Sequence, residues 1–337
     1  MRLRRVSSAG PGIRRRRHGR GFVYLDESAD GERVDAPETL ARITELAIPP
    51  AWTEVWICPY PGGHIQATGI DAKGRKQYLY HRRWRERRDQ EKFDDMLAFA
   101  RKLPRLRRLV DEDLARGDLS REQILAVAVR LLDRGFFRIG TEDYAVENET
   151  YGLATMRKEH VTVSDAVIVF DYPAKHSKRR VQSVVDPEVA DVVATLRRRR
   201  GGGDELLAYK RSGRWVDVRS TDINAYLKDA MSRDVSAKDF RTWGATVVAA
   251  VALAVAEPHV HSKTARTRAV RHAIKEVAHY LGNTPAVARA SYIDPRVFDR
   301  FSDGESIHAV LPKLGAEDDA PAIQGPVERA VLRLLSS

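Results

Sequence analysis

Over the first eighty residues, hydrophobic and polar positions alternate in short runs. "GFVYLD" leads into "ADGERVD", and "EVWICPYPGGHIQATGID" into "AKGRKQYLYH". Each run is bounded by Gly, Pro or Asp, and the period of two predicts strands from Gly21 to about Tyr80. Pro49 and Pro50 punctuate them. The period then changes. "RRWRERRDQEKFDDMLAFARKL" has helical spacing, which puts the boundary between Arg82 and Gln90. Ser120 with Gln123 predicts a capping box, and Ile124, Leu125, Ala128, Leu131 and Leu132 form the buried face of the helix it opens. One β island interrupts the helices: Ala166–Asp171 and "RRVQSVV", joined by the turn "YPAKHSK". Helical patterns resume in "PEVADVVATLRRRR" and, after a flexible "GGGDE", in "DINAYLKDAM". An apolar helix follows Phe240, and an amphipathic one runs through Val270–Leu281. "GNTPAVARASYIDP" reads as a helix stop at Gly282, a start at Thr284 and Pro285, one short helix and then Tyr292. There is no internal repeat. The tail over 315–337 is weakly patterned and is expected to pack loosely. The pattern predicts an α+β chain: a small mainly-β domain over 21–88, then a mostly α domain over 89–314 that contains a β-hairpin.

Composition narrows the class. The 337 residues suit two domains, and a 43% hydrophobic share fills a sizeable core. A formal charge of +11 calls for an acidic partner, with nucleic acid first and an anionic membrane surface second. The longest apolar run, Ala245–Ala256, has the length of a buried core helix and falls short of a bilayer span. Residues 1–20 are arginine-rich without an apolar core, which excludes a secretory signal; a phosphate-binding arm is the simpler reading, and a transit peptide is the alternative. Cys58 is the single cysteine, which excludes an intramolecular disulfide and a cysteine-based metal site and suits a reducing cytoplasm.

The candidate chemistry begins from what is missing. No "GxxxxGK[ST]" loop is present, and the carboxylates are dispersed along helix faces. His259 and His261 lack carboxylate neighbours at ligand spacing. What remains is metal-free attack on a phosphodiester, which needs a nucleophile, cations for the non-bridging oxygens and a proton donor for the leaving oxygen. Arg138 in "GFFRIG" and Arg241 in "KDFRTWG" sit where a charge is costly unless paired or used. Lys175 lies at the hairpin tip, Asn283 at a helix junction, and Tyr292 where a short helix runs out. Taken singly, these are a salt bridge, a cap, a solvated lysine, a turn and a packing residue.

Taken together and in order, "FFRIG…ENETYGLAT", a basic hairpin turn, "KDFRTWG" and "LGNTPAVARASYIDP" resemble the catalytic domain of type IB DNA topoisomerases, in the compact bacterial and poxvirus branch. "IPPAWTEVWI" and "GIDAKGRKQYLYH" resemble the amino-terminal domain, and the likeness runs from about Ile48 to Leu311. The resemblance implies two lobes clamping duplex DNA, with the 89–314 domain catalytic. Tyr292 would form a 3′-phosphotyrosyl bond, Arg138 and Arg241 would hold the non-bridging oxygens, and Lys175 would protonate the leaving 5′ oxygen. Lys178 is the second candidate for that proton. Asn283 stands where the family commonly has histidine; it keeps a hydrogen-bond donor and loses the charge. Ala174 stands where glycine is usual.

The resemblance also places Arg75, Lys76, Gln77, Tyr78, Tyr144, Lys178 and Lys238 at the duplex. It implies no cofactor and no required metal or ATP, a monomer at work, no membrane partner, and a cytoplasmic, nucleoid-associated location. Small residues before Tyr292 would admit the duplex backbone and leave the hydroxyl free to move in and out. A tyrosine recombinase is the nearest rival. It usually carries histidine where this chain has Lys238, and begins with helices where this chain has strands. A non-catalytic DNA-binding protein of the same fold, and an RNA-binding protein, are the rivals from other classes.

Overall fold

The computed structural model describes residues 2–314 and 321–337, without the side chains of Asp143, Tyr144, Asn148 and His176. It divides into two compact units, Met1–Asp94 and Asp95–Ser337.

The first unit is built on a six-stranded antiparallel sheet in the order β3-β2-β1-β4-β5-β6. The strands are β1 (Ile13–His18), β2 (Gly21–Asp26), β3 (Glu32–Arg33), β4 (Thr53–Ile57), β5 (Ile65–Ile70) and β6 (Lys76–Tyr80). The arginine run expected to form a free arm is β1, paired to β2 on one side and β4 on the other. The sequence obscures this strand because only Ile13 gives it an apolar anchor. Arg15 is committed to the fold: its guanidinium donates to the carbonyls of Ile48, Pro49 (3.1 Å) and Trp52 (2.6 Å) and stacks 4.2 Å from the Phe22 ring. A helix, α1 (Pro37–Glu45), lies before the Pro49–Pro50 punctuation and contributes Ile43 to a core with Ile13, Val55, Ile57 and Ala67. Proline at its first turn opens it.

The division between units falls inside α2 (Arg82–Leu114). In the second unit, α3 (Arg121–Gly135) carries the predicted apolar face. Ser120 caps the Gln123 N–H, while the Gln123 side chain accepts from Leu119 (2.8 Å) and not from Ser120. After α4 (Glu142–Asn148) comes a three-stranded sheet of β7 (Val161–Ser164), β8 (Val167–Ala174) and β9 (Lys178–Val185). The hairpin strands are longer than the sequence suggests, leaving residues 175–177 for the turn. Helix α5 (Pro187–Arg198) covers this sheet. A second hairpin, β10 (Ala208–Arg211) and β11 (Arg214–Asp217), follows the glycine run; its strands are too short for a periodic signal.

Four helices complete the part that positions the site: α6 (Ser220–Met231), α7 (Ala237–Ala256), α8 (Lys263–Leu281) and the short α9 (Pro285–Ser291). With its extension to His259, α7 is a 23-residue stretch long and apolar enough to cross a bilayer, which corrects the shorter limit read from the sequence. It packs inside this unit, and Phe240, Trp243, Val247, Ala250 and Leu253 are buried there.

The chain ends with α10 (Arg296–Ser302) and α11 (Pro326–Ser336). The expected loose tail is docked. Glu328 of α11 accepts from Arg107 (2.6 Å) and from the Trp243 indole (2.7 Å), and Arg107 also pairs with Asp133. Sequence patterning missed this because the anchor is a buried carboxylate and not an apolar stripe. Glu328→Ala leaves the Arg107 charge half-compensated and the Trp243 N–H without its acceptor. We expect it to lower stability by about 3 kcal/mol in urea unfolding; an unchanged midpoint would show the dock to be idle.

Candidate active site

The site is organised by the C-terminal end of α8. Gly282 takes the left-handed conformation (φ 61°) and donates to the His279 carbonyl (3.1 Å), and the Asn283 N–H reaches back to Ala278 (2.9 Å). This Schellman ending needs a residue without a Cβ at Gly282. It leaves the carbonyls of Tyr280, Leu281 and Gly282 without helical partners, at the negative end of the helix. Each takes an arginine. Arg180 donates to Tyr280, Arg241 to Leu281 (2.9 Å) and Arg138 to Gly282 (3.4 Å).

The three guanidinium groups come from three other elements. Arg241 sits near the start of α7, 3% exposed, and bonds the Phe136 carbonyl at the end of α3 as well. Arg138 follows α3. Its own carbonyl accepts from Leu153 (2.8 Å), where Gly140 and Gly152 touch so closely that a Cβ on Gly152 would lie 2.4 Å from the Gly140 nitrogen. Arg180 lies on β9. The oxygens that these groups bond belong to carbonyls, amides and tyrosine hydroxyls, and among the described residues none is a carboxylate. Buried charge without a counter-ion costs several kcal/mol, so the cluster is poised for an anion.

Tyr292 caps the end of α9, with its ring 5.3 Å from the Arg241 guanidinium. The start of α9 is as the sequence predicts: Thr284 caps Val287, and Pro285 opens the helix. The backbone of the tyrosine's turn is held: the N–H groups of Tyr292 (3.1 Å) and Ile293 (3.2 Å) both reach the Ala288 carbonyl. Thr246 of α7 donates its hydroxyl proton to the Thr242 carbonyl one turn back (2.9 Å) and accepts from the Asp294 N–H (3.1 Å), and the fully buried Asp294 pairs with Arg296 (2.8 Å).

Burial opposes ionisation of the Tyr292 hydroxyl. The charge of Arg241 and its hydrogen bond, then Arg138 and Lys238, outweigh that effect and hold the group below the usual phenol value. Burial lowers Arg241 from its ordinary value and Arg138 adds to this, while Tyr292 acts in the opposite sense.

The Asn283 side-chain oxygen accepts from Arg138, and its buried amide nitrogen has no partner among the described residues. Together with Arg138, Lys175, Lys178, Arg179, Arg180 and Lys275 it lines a cleft of about 370 Å³. Lys175 and Lys178 are exposed at the hairpin tip, and Lys238 is exposed on the first turn of α7. Of the sequence candidates, Arg138, Lys175, Lys178 and Asn283 line this cleft, while Arg241, Lys238 and Tyr292 form a group with Arg138 beside it. Arg180 was missed. It lies on the inward alternation of β9 with Gln182 and Val184, a period-two signal masked by the run of basic residues around it.

Arg75, Lys76, Gln77 and Tyr78 belong to the first unit. Arg75 and Gln77 both bond Asp71 (2.7 and 2.8 Å), whose carboxyl is pulled down to about 2, chiefly by the Arg75 side chain. Lys76 and Tyr78 share the exposed face of β6 with Tyr80, on which Tyr78 stacks at 5.9 Å. Tyr144 falls in α4, and its side chain lies outside the described residues.

Two family models match the chain. Residues 81–306 match the catalytic core of eukaryotic DNA topoisomerase I, and residues 21–71 match the N-terminal domain of bacterial DNA topoisomerase IB. DNA topoisomerase 1B of Acanthamoeba polyphaga mimivirus is 30% identical over 289 residues, covering 84% of this chain and 85% of that protein. DNA topoisomerase 1B of vaccinia virus (strain Copenhagen) is 22% identical over 251 residues, covering 72% and 74%. DNA topoisomerase 1 of Daucus carota is 33% identical over 138 residues, covering 40% of this chain and 16% of that protein. With both units matched and one relative similar along most of its length, the chain belongs to the type IB DNA topoisomerases, a family of isomerases, and its amino-terminal domain is of the bacterial kind.

Proposed function

We propose that the protein relaxes positive and negative supercoils in duplex DNA by opening and resealing one strand, and that Tyr292 is the nucleophile. The observation that carries this reading is the contact between Tyr292 and the buried, carboxylate-free Arg241. A packing tyrosine has no need of such a neighbour, whereas a nucleophile gains phenolate character from it. The Tyr292 oxygen attacks the scissile phosphorus and its proton passes to solvent. The P–O5′ bond breaks, its electron pair goes to the 5′ oxygen, and Lys175 supplies the proton that makes a 5′-hydroxyl.

Arg138 and Arg241 take the non-bridging oxygens, where their forks match two oxygens and their charge grows in worth as the phosphate approaches its transition state. The unpartnered amide of Asn283 donates to one of the same oxygens in the place of a charged histidine. The 3′-phosphotyrosyl ester conserves the energy of the broken bond, so resealing needs no ATP. While it lasts the free end rotates. Neither step is routed through a metal.

The two units act as lobes of a clamp on the duplex, in the tyrosine recombinase-like manner, and a monomer suffices. Lys178, Lys238 and Tyr144, with Arg75, Lys76, Gln77 and Tyr78 on β6, lie along the DNA path, and nucleoid DNA is the working partner. Lysine and arginine contacts to phosphates make binding fall steeply with salt. Membership of the family does not favour the recombinase or the non-catalytic alternative.

The test is supercoiled plasmid incubated with the protein without ATP and with excess EDTA, then quenched with denaturant. We expect relaxed topoisomers, and nicked DNA joined to protein through its 3′ end. Tight binding without relaxation at any salt concentration would return the protein to the non-catalytic reading, and joining through a 5′ end would reject the chemistry.

A further inference from the structure

We propose that Arg180 is a positioning residue for this reaction: it clamps the hairpin that carries Lys175 to the end of α8 and so sets where the proton donor stands over the leaving oxygen. The proposal rests on the reading of Lys175 as that donor.

The hairpin tip itself holds Lys175 loosely. Lys175, Ser177, Lys178 and Arg179 are all exposed, and Arg179 is spent on Asp171 along the outer face (2.8 Å). Arg180 is the first residue of β9 whose side chain turns inward, opposite Tyr172 in the strand register. Its guanidinium gathers three oxygens. It donates to the Tyr280 carbonyl, to the Gln182 side chain and to the Tyr172 hydroxyl. Gln182 in turn donates to the Gly135 carbonyl at the end of α3 (2.8 Å). Among the described residues, the bond from Arg180 to Tyr280 is the hydrogen bond that joins the hairpin to α8 or its turn.

The site is shaped to admit this side chain. A Cβ on Gly282 would stand 2.5 Å from an Arg180 nitrogen, so the left-handed glycine that ends α8 also makes room for the clamp. A salt bridge kept only for stability would have supplied a carboxylate, as Asp133 and Glu328 do for Arg107. Arg180 has neutral oxygens instead and lines the same cleft as Arg138, Lys175 and Asn283. A lysine at a hairpin tip has reach but little direction, and proton transfer in the transition state requires hydrogen-bond geometry. Misplacement by about 1 Å costs on the order of 100-fold.

The experiment compares two DNA duplexes with one scissile position, one with the natural bridging 5′ oxygen and one with sulfur there. When the P–S bond breaks, the electron pair stays on a thiolate, which needs no proton. Single-turnover cleavage is followed for the wild type, Lys175→Ala, Arg180→Ala and Arg180→Lys. We expect Arg180→Ala to cleave the oxygen duplex about 100-fold more slowly and to come within about 10-fold of the wild type on sulfur. Lys175→Ala should show the same recovery, and Arg180→Lys should regain part of the rate on oxygen. The ratio of the two duplexes on one preparation is independent of how much protein is folded. Recovery by sulfur in Lys175→Ala but equal losses in Arg180→Ala would overturn the positioning role alone. No recovery in either variant would remove Lys175 as the donor, and this inference with it.

Discussion

Tyr292→Phe is expected to abolish strand cleavage, with a fall of about 10⁵-fold or more, while DNA affinity stays within about 3-fold. The substitution removes one oxygen and keeps the ring. Stacking of that ring on Arg241 survives, and so does the tie from the Asp294 N–H to Thr246. Arg241 loses one neutral acceptor and keeps the carbonyls of Phe136 and Leu281, so stability should change by about 1 kcal/mol at most. A loss of cleavage therefore cannot be charged to unfolding. The measurement is the denaturant-quenched yield of covalent protein–DNA complex at saturating protein. Full-rate cleavage by this variant would mean another nucleophile. Tyr280 is the one to test next, because it is 48% exposed on the last turn of α8, whereas Tyr172 is buried.

What the sequence shows of this site follows from which interactions leave a local trace. Thr284, Pro285 and Gly282 act within a turn of themselves, so the helix stop and restart before Tyr292 are legible from the residue types alone. Arg138 and Arg241 stand out because each interrupts an apolar stretch. Arg180 does not, because it sits in a run of basic residues and its tie to α8 is to one backbone carbonyl a hundred residues away, which no side-chain pattern reports. The same limit hid β1, whose four arginines pass for a solvated arm although Arg15 is tied to three carbonyls. It hid the docking of α11 through Glu328 as well. Apolar periodicity reports what a segment buries, but it does not report a charge held by a distant backbone.

Arg241→Ala tests the second half of the chemistry and should do so through a pH profile. The guanidinium is given two tasks: to hold a non-bridging oxygen in the transition state, and to favour the Tyr292 phenolate. Loss of the first should slow cleavage about 10³-fold at every pH. Loss of the second should depend on pH, with a definite sign. Burial favours the neutral phenol, and the Arg241 charge and hydrogen bond are the leading effects that overcome it. Without them the Tyr292 value rises, so at a given pH less of the hydroxyl is ionised. The deficit relative to the wild type is then largest at low pH and narrows as pH climbs toward the ordinary phenol value of about 10.

Stability should move little, because two effects oppose each other. Two helix-end carbonyls lose a donor, which is costly, while a buried charge beside Arg138 and Arg180 is removed, which is favourable. Arg241→Lys separates the tasks, since an ammonium keeps the charge and gives up the fork. It should retain a wild-type pH profile while remaining slow. A deficit in Arg241→Ala that is the same at every pH would leave Arg241 as a phosphate ligand only, and the activation of Tyr292 would then fall to Arg138 and Lys238.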